Sequence, residues 1–333
     1  MPLSKKQMLP LLALLTAFPA LSTDMYLPAL PSLAEQWQQP LSAINLTLSA
    51  FFFIYGLFLL VYGPLSDRYG RKPVLIAGLL IYLIGSLLCV VAFGAVSLIA
   101  FRVIQAAGAS SASAISLAIC KDLFEGEERV RVLAHIALIM TAVPMLGPIV
   151  GGVVLTYSAW PVVFVFQAGL GLIALAGGLK APETLGSPDT ISLKIIFKNY
   201  YLLLTNCRFI TYTGLMAGIA FPLFAFIGGS SDFYISFFGL SEKSFGYFFA
   251  LNAVAMMLGF LVCKGLLRRM ESPRIITIGY SGVLIGSWAV YCWGAKSPWH
   301  LALCMCYTSF MLVISRPTDR NLLFVCPSMA QTT

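Results

Sequence analysis

The chain has 333 residues, of which 59% are hydrophobic and 10% charged. A soluble domain is usually about 45–50% apolar and about 25% charged, so this composition excludes an ordinary soluble protein and indicates a membrane protein. The net charge of +8 does not point to nucleic acid, because the bases lie in short clusters between apolar runs, the pattern that orients membrane spans.

A spanning helix needs about 20 apolar residues. The runs that qualify are 8–30, 43–64, 74–94, 97–119, 132–157, 160–179, 207–228, 245–266, 274–293 and 298–315. Lys5 and Lys6 precede the first run as in a secretory leader, but no A-x-A site follows, so a retained first helix is expected. The bases alternate with the spans. Lys5 and Lys6, then Arg68, Arg71 and Lys72, then Lys121, Arg129 and Arg131 fall on one side. Lys180, Lys194, Lys198 and Arg208, then Lys264, Arg268, Arg269 and Arg274, then Arg316 and Arg320 follow on the same side. Only Lys243 and Lys296 lie opposite, and Arg102 falls within a span. The basic side is expected to be cytoplasmic, with the N-terminus inside.

The longest connection, about 180–206, carries the turn-formers of "APETLGSPDT". It divides an all-α membrane fold into a six-helix bundle over 1–180, a linker over 181–206, an incomplete bundle of about four helices over 207–315 and an atypical tail over 316–333. A weak internal echo joins "RYGRKPVLIAG" (68–78) to "RMESPRIITIG" (269–279). Each is expected to follow the second helix of its half, as parallel repeats in transporters do.

Four places could carry chemistry. Asp24, in "STDMYLPALP", lies towards the end of the first span. A charge at the centre of a span costs at least about 2.5–3.5 kcal/mol. Asp24 is therefore either an exposed helix-end carboxylate or a partly desolvated one able to take up a proton. Arg102, in the fourth span, stays charged at any accessible pH. It either snorkels to the interface or faces a polar cavity, with Asp24 as the obvious partner. The small residues after it (Ala106 to Ser110) permit close helix packing. "AVPMLGPIVGG" (142–152) places Pro148 beside Gly147, Gly151 and Gly152, a surface for tight packing or for sealing an interface between halves.

Last is "GPLSDRYGRKP" (63–73). Gly63-Pro64 is expected to end one helix and Gly70 to make a tight turn. Asp67 is expected near the start of the next helix, where the dipole favours an acid, while Arg68, Arg71 and Lys72 face anionic lipid. A topology signal would need only the bases, so the acid and the glycines imply a defined shape.

Other chemistry has no motif. The eight cysteines form no C-x-x-C pair and lack zinc spacing. There is no Walker loop and no G-x-S-x-G, and His135 and His300 are far apart. The expectation is a protein that is not an enzyme and uses no metal or cofactor.

Together these motifs resemble the major facilitator superfamily, and within it the drug:proton antiporters. "GPLSDRYGRKP" is similar to the family's loop between its second and third helices, "RVIQAAGAS" to its fourth-helix motif and "GPIVGG" to its fifth-helix antiporter motif. "STDMYLPALP", "PETL" (182–185) and "FGYFFALN" (245–252) resemble the bicyclomycin-resistance subfamily. The resemblance covers about 1–305. It implies the major facilitator fold of two six-helix bundles around a cavity. It also implies a monomer in the bacterial inner membrane that exports small amphipathic compounds, such as bicyclomycin or chloramphenicol, by alternating access against inward proton flow. Asp24 and Arg102 match the proton-coupling acid and arginine. Gly63, Asp67, Arg68, Gly70, Arg71 and Lys72 lie in the latch of the cytoplasmic gate, and Gly147, Pro148, Gly151 and Gly152 in the fifth-helix seal. The family has twelve helices, whereas ten are read here, and the tail from Ser315 resembles truncated or out-of-frame translation. Alternatives are a metabolite exporter of the same superfamily and a truncated, non-transporting membrane protein.

Overall fold

A computed structural model describes residues 5–186 and 193–315. The expected tail over 316–333 and part of the expected linker, 187–192, lie outside the described residues. The helices are α1 (Lys5–Asp24), α2 (Leu30–Gln36), α3 (Leu41–Tyr69), α4 (Arg71–Val90), α5 (Ala95–Leu123), α6 (Gly126–Tyr157), α7 (Pro161–Lys180), α8 (Leu193–Thr205), α9 (Cys207–Ser231), α10 (Glu242–Leu266), α11 (Ser272–Trp293) and α12 (Pro298–Ile314). A helix covers most of each predicted span. Among the described residues, seven helical stretches are long and apolar enough to cross a membrane. The described residues fall into two compact units, one within Met1–Ile191 and Ser231–Tyr247, the other within Ser192–Ser230 and Phe248–Thr333.

Two boundaries differ from expectation. The first span breaks after Asp24, and the cause is local. Pro28 has no N–H, so the Asp24 carbonyl loses its helical donor. The Tyr26 N–H turns instead to Thr23 O at 3.1 Å, and a 3-10 turn over Leu27–Ala29 leads into α2. The second difference is at Pro64, which does not end its helix. α3 continues through it to Tyr69, as membrane helices can when local adjustments satisfy the freed backbone. The break falls at Gly70, whose φ of 96° is a conformation that glycine adopts readily.

In the first unit α5 is central and α3 peripheral: 72% of the apolar window of α5 is buried against 22% for α3. Lipid is as apolar as leucine, so close contact of small residues does the packing work. A Cβ on Gly78 would overlap Ser111, one on Gly85 would meet Gln105 N, and one on Gly108 would meet Tyr82 N. These contacts lock α4 against α5 and account for the small residues after Arg102. In the second unit α11 meets α12 in the same manner. A Cβ on Gly279 would meet Ser315, and one on Gly286 would meet Thr308. Gly78 and Gly85 are seven residues apart, as are Gly279 and Gly286. The echo noted in the sequence therefore recurs as the same glycine-mediated contact with the following helix.

Candidate functional site: a buried arginine network and a latched loop

Asp24 closes α1 and is 4% exposed. It is the one buried acid among the described residues, so the reading of an exposed carboxylate does not hold. Thr23 Oγ1 lies 3.1 Å from Asp24 Oδ1 and also within reach of the Pro19 and Ala20 carbonyls. That hydroxyl can donate to a carboxylate or accept from a carboxylic acid, so it serves either protonation state. Across from Asp24 stands the glycine face of α6. A Cβ on Gly147 would fall 2.6 Å from Asp24 Cβ, and one on Gly151 would overlap Met25 O. On the other face of α6, a Cβ on Gly152 would overlap Glu242 O, and one on Gly246 would fall 2.9 Å from Pro148 O. These glycines, with Pro148 between them, let the end of α1 and the start of α10 approach the α6 backbone.

Arg102 is fully buried, so it does not snorkel. Nor does it pair with Asp24, which corrects the expectation; among the described residues neither makes an ion pair. The reason lies in the broken end of α1. Because the Tyr26 N–H goes to Thr23 O, the helical ladder leaves the Ser22 carbonyl free. Arg102 Nη1 donates to Ser22 O at 2.8 Å and to Gln105 Oε1 at 2.7 Å. The guanidinium sits 4.3 Å from the centre of the Phe51 ring, 5.1 Å from Tyr26 and 5.9 Å from Phe164. A desolvated cation over aromatic faces gains about 2 kcal/mol or more, which offsets part of the cost of burying it.

Sequence reasoning missed the rest of this network. Gln105 Nε2 donates to Ser86 Oγ and to Gln167 Oε1, both at 2.8 Å, and Gln167 Nε2 donates to Ser22 O at 3.3 Å. Ser22 Oγ and Tyr82 Oη lie 2.8 Å apart. A glutamine within an apolar span is itself a signal, since such groups are costly unless bonded across helices. Gln105 and Gln167 were findable on that ground, although their pairing was not.

At the basic end, Asp67 is in the last turn of α3 rather than at the start of the next helix. The dipole there disfavours an acid, and Arg71 compensates by pairing with Asp67. Arg71 also donates to Asp122 Oδ2 of α5 at 2.9 Å and to Ser66 Oγ at 2.7 Å. It is buried and so does not face lipid, a second correction. Arg68 is exposed and stacks 5.4 Å from the Tyr69 ring. Gly63 faces open space, and nothing in the structure requires glycine there. The acid at the start of α4 is Glu183, from "PETL". Its Oε1 accepts from Arg71 N at 3.0 Å and its Oε2 from Lys72 N at 3.1 Å, while Thr184 N and Leu185 N also donate to Oε1. Burial alone would raise the Glu183 pKa, but these four N–H donors outweigh it and hold the carboxyl below its usual range.

The described residues form helices without a strand, seven stretches of them long and apolar enough to cross a membrane, around a buried arginine–glutamine network. The sequence profile described as Major Facilitator Superfamily matches residues 12–324. The chain belongs to the Major Facilitator Superfamily. It is 27% identical over 284 residues to a bicyclomycin resistance protein homolog of Haemophilus influenzae, covering 84% of this chain and 71% of the relative. It is 30% identical over 272 residues to a chloramphenicol resistance protein of Pseudomonas aeruginosa, covering 80% and 64%. Against the multidrug transporter MdfA of Yersinia pestis it is 28% identical over 281 residues, covering 83% and 68%. The chain thus spans about two thirds of the length of these relatives. The fold is also that of the nucleoside transporter NupG, with a TM-score of 0.72 at 13% identity over 92% of this chain and 80% of that one. A bacterial homolog of the lysosomal transporter Spinster gives 0.69 at 16% identity, over 93% and 75%.

Proposed function

We propose that the protein exports small amphipathic compounds of the bicyclomycin or chloramphenicol type across the bacterial inner membrane, as a monomer, in exchange for protons. The observation that carries this reading is Asp24, a lone buried acid at a helix break, packed on the glycine face of α6 in a chain whose relatives are named for drug resistance. A buried carboxyl that must neutralise to stay buried is suited to exchange a proton as access alternates. Arg102 holds a buried charge on the Ser22 carbonyl of the same helix as Asp24. The Asp67–Arg71–Asp122 cluster, with Gly70 and the Lys72 backbone held by Glu183, fixes the loop between α3 and α4 as one body that can make or break contacts as a unit. Contacts of that kind are what a two-state gate requires. The basic end, with the N-terminus, faces the cytoplasm, because the bases cluster there. Residues 1–180 act as one bundle and 207–315 as the second, joined through 181–206.

Drug-triggered proton release in inverted vesicles tests the reading, with Asp24→Asn as comparator and chloramphenicol, bicyclomycin and ethidium as compounds. Release by the native chain alone supports it. Silence from a correctly inserted native chain refutes it.

A further inference from the structure

α8 is too short to cross a membrane, yet it is joined to a helix that is long enough. Its 13 residues extend about 20 Å, against a hydrocarbon core of about 30 Å, whereas the 25 residues of α9 reach about 38 Å. A single residue, Asn206, separates the two. Its Oδ1 accepts from Phe209 N at 3.2 Å, so it caps α9 and leaves α8 a helix in its own right. The end of a spanning helix lies at the bilayer surface, and one residue tethers α8 to that level.

The side chains that α8 exposes do not suit water. Ile195, Tyr201, Leu202 and Leu204 are between 50% and 67% exposed, while Ile196, Tyr200 and Leu203, at helical spacing, are half-buried and mark the side turned inward. Lys198 stands among the exposed set. Ile195 is three residues before it, Tyr201 three after and Leu202 four after, so all are its neighbours on the helix surface. Lys198 is exposed and makes no ion pair among the described residues. From Thr190 to Ser231 the sequence holds no acid, and its charges there, Lys194, Lys198 and Arg208, are all basic. In water such a patch leaves apolar area hydrated and the ammonium without a counter-charge. Against phospholipid both are satisfied. The apolar side chains enter the acyl boundary, and the lysine stem runs along them to set its ammonium at the level of the phosphates.

We infer that α8 docks on the membrane surface through Ile195, Leu202 and Lys198, and that the occupant selected by Lys198 is an anionic phospholipid. Charge decides between lipids: a zwitterionic headgroup carries no net charge, whereas an anionic surface attracts each nearby base. Charge also disfavours a second copy of the chain, because two copies meeting through α8 would set Lys198 against Lys198 with no acid in the segment to separate them. That the leaflet is the inner one rests on the orientation proposed above, whereas the lipid contact does not.

The test places the photoreactive residue p-benzoylphenylalanine at position 202, and separately at 195, in the full chain. The protein is reconstituted in vesicles of equal parts phosphatidylglycerol and phosphatidylcholine. On illumination the reporter inserts into C–H bonds of whatever covers it, and mass spectrometry identifies the adduct. Lipid adducts are expected at both positions, with phosphatidylglycerol favoured by at least about fivefold, the factor for one base at an anionic surface. Lys198→Gln is expected to lower that ratio about fivefold. So is raising the salt to about 1 M, where the Debye length is about 3 Å. The salt arm needs no change at Lys198, so it stands should that variant fail to fold. The same reporter at Leu284, an exposed position in the middle of α11, is expected to take both lipids alike. Adducts to peptides of this chain or of a second copy, an absence of lipid adducts, a ratio indifferent to Lys198 and salt, or an equal preference at Leu284 would each overturn the inference. No transport is measured, so a chain that moves no protons refutes the exporter reading without affecting this result.

Discussion

Replacing Gly70 by alanine should reveal how the loop between α3 and α4 is held. Two costs are separable. The first is conformational: a φ of 96° with ψ of 150° lies in a region that is essentially glycine-only and costs about 1–3 kcal/mol for another residue. The second is steric, because the new Cβ would sit 2.7 Å from Glu183 Oε2. A flexible carboxylate moves at little cost in itself, but moving this one breaks its bonds to the start of α4. A helix cap of this kind is worth about 0.5–2 kcal/mol. Glu183 is exposed, so water replaces part of what is lost, and about 1 kcal/mol is the working figure. Glu183→Ala alone therefore costs about 1 kcal/mol, and Gly70→Ala about 3 kcal/mol, of which a third is the displaced carboxylate. In the double variant that third has already gone, so the loss falls short of the sum of the singles by about 1 kcal/mol. Equilibrium unfolding of the purified protein in mixed detergent gives all four corners of the cycle. Additivity within about 0.3 kcal/mol would refute the argument that Glu183 and Gly70 act through one contact.

Three further outcomes follow from the same geometry. Since the Glu183 pKa is lowered in the folded protein, its stabilisation is complete above the unfolded value of about 4.3 and is lost as pH falls through the folded value. Stability measured from pH 7 to pH 3 should show Glu183→Gln below the native protein at neutral pH and converging with it at the acid end. Gly151→Val must push the α1 turn off α6, because its Cβ overlaps Met25 O. Overpacking of this kind costs about 1–3 kcal/mol and should lower the melting temperature, whereas Gly56→Ala, which faces open space, should not. Arg71→Gln leaves Asp67 and Asp122 close together without their shared cation. It should destabilise the protein at low salt, and the additional variant Asp122→Asn should restore part of the loss.

The sequence by itself determined the membrane class and the helical fold. These depend on composition, run length and charge alternation, which are local properties. It also marked Asp24, Arg102, the 63–73 loop and the glycines of 142–152, because charge and backbone-opening residues are conspicuous in apolar runs. The break after Asp24 was not read from the sequence, which treated 8–30 as one span, although Pro28 removes the donor that the Asp24 carbonyl would need. Partners were not legible. Asp24 and Arg102 looked like a pair because both were expected in the outer halves of their helices. The tertiary structure instead gave Arg102 a carbonyl released by the broken helix, the oxygen of Gln105 and three aromatic faces. Glu183 reaches the start of α4 from more than a hundred residues away, where Asp67 was expected to serve. Which side chain meets a buried donor depends on the rotation and depth of each helix in the bundle. Those are fixed by glycine contacts between helices remote in the chain, and so only the folded molecule decides them.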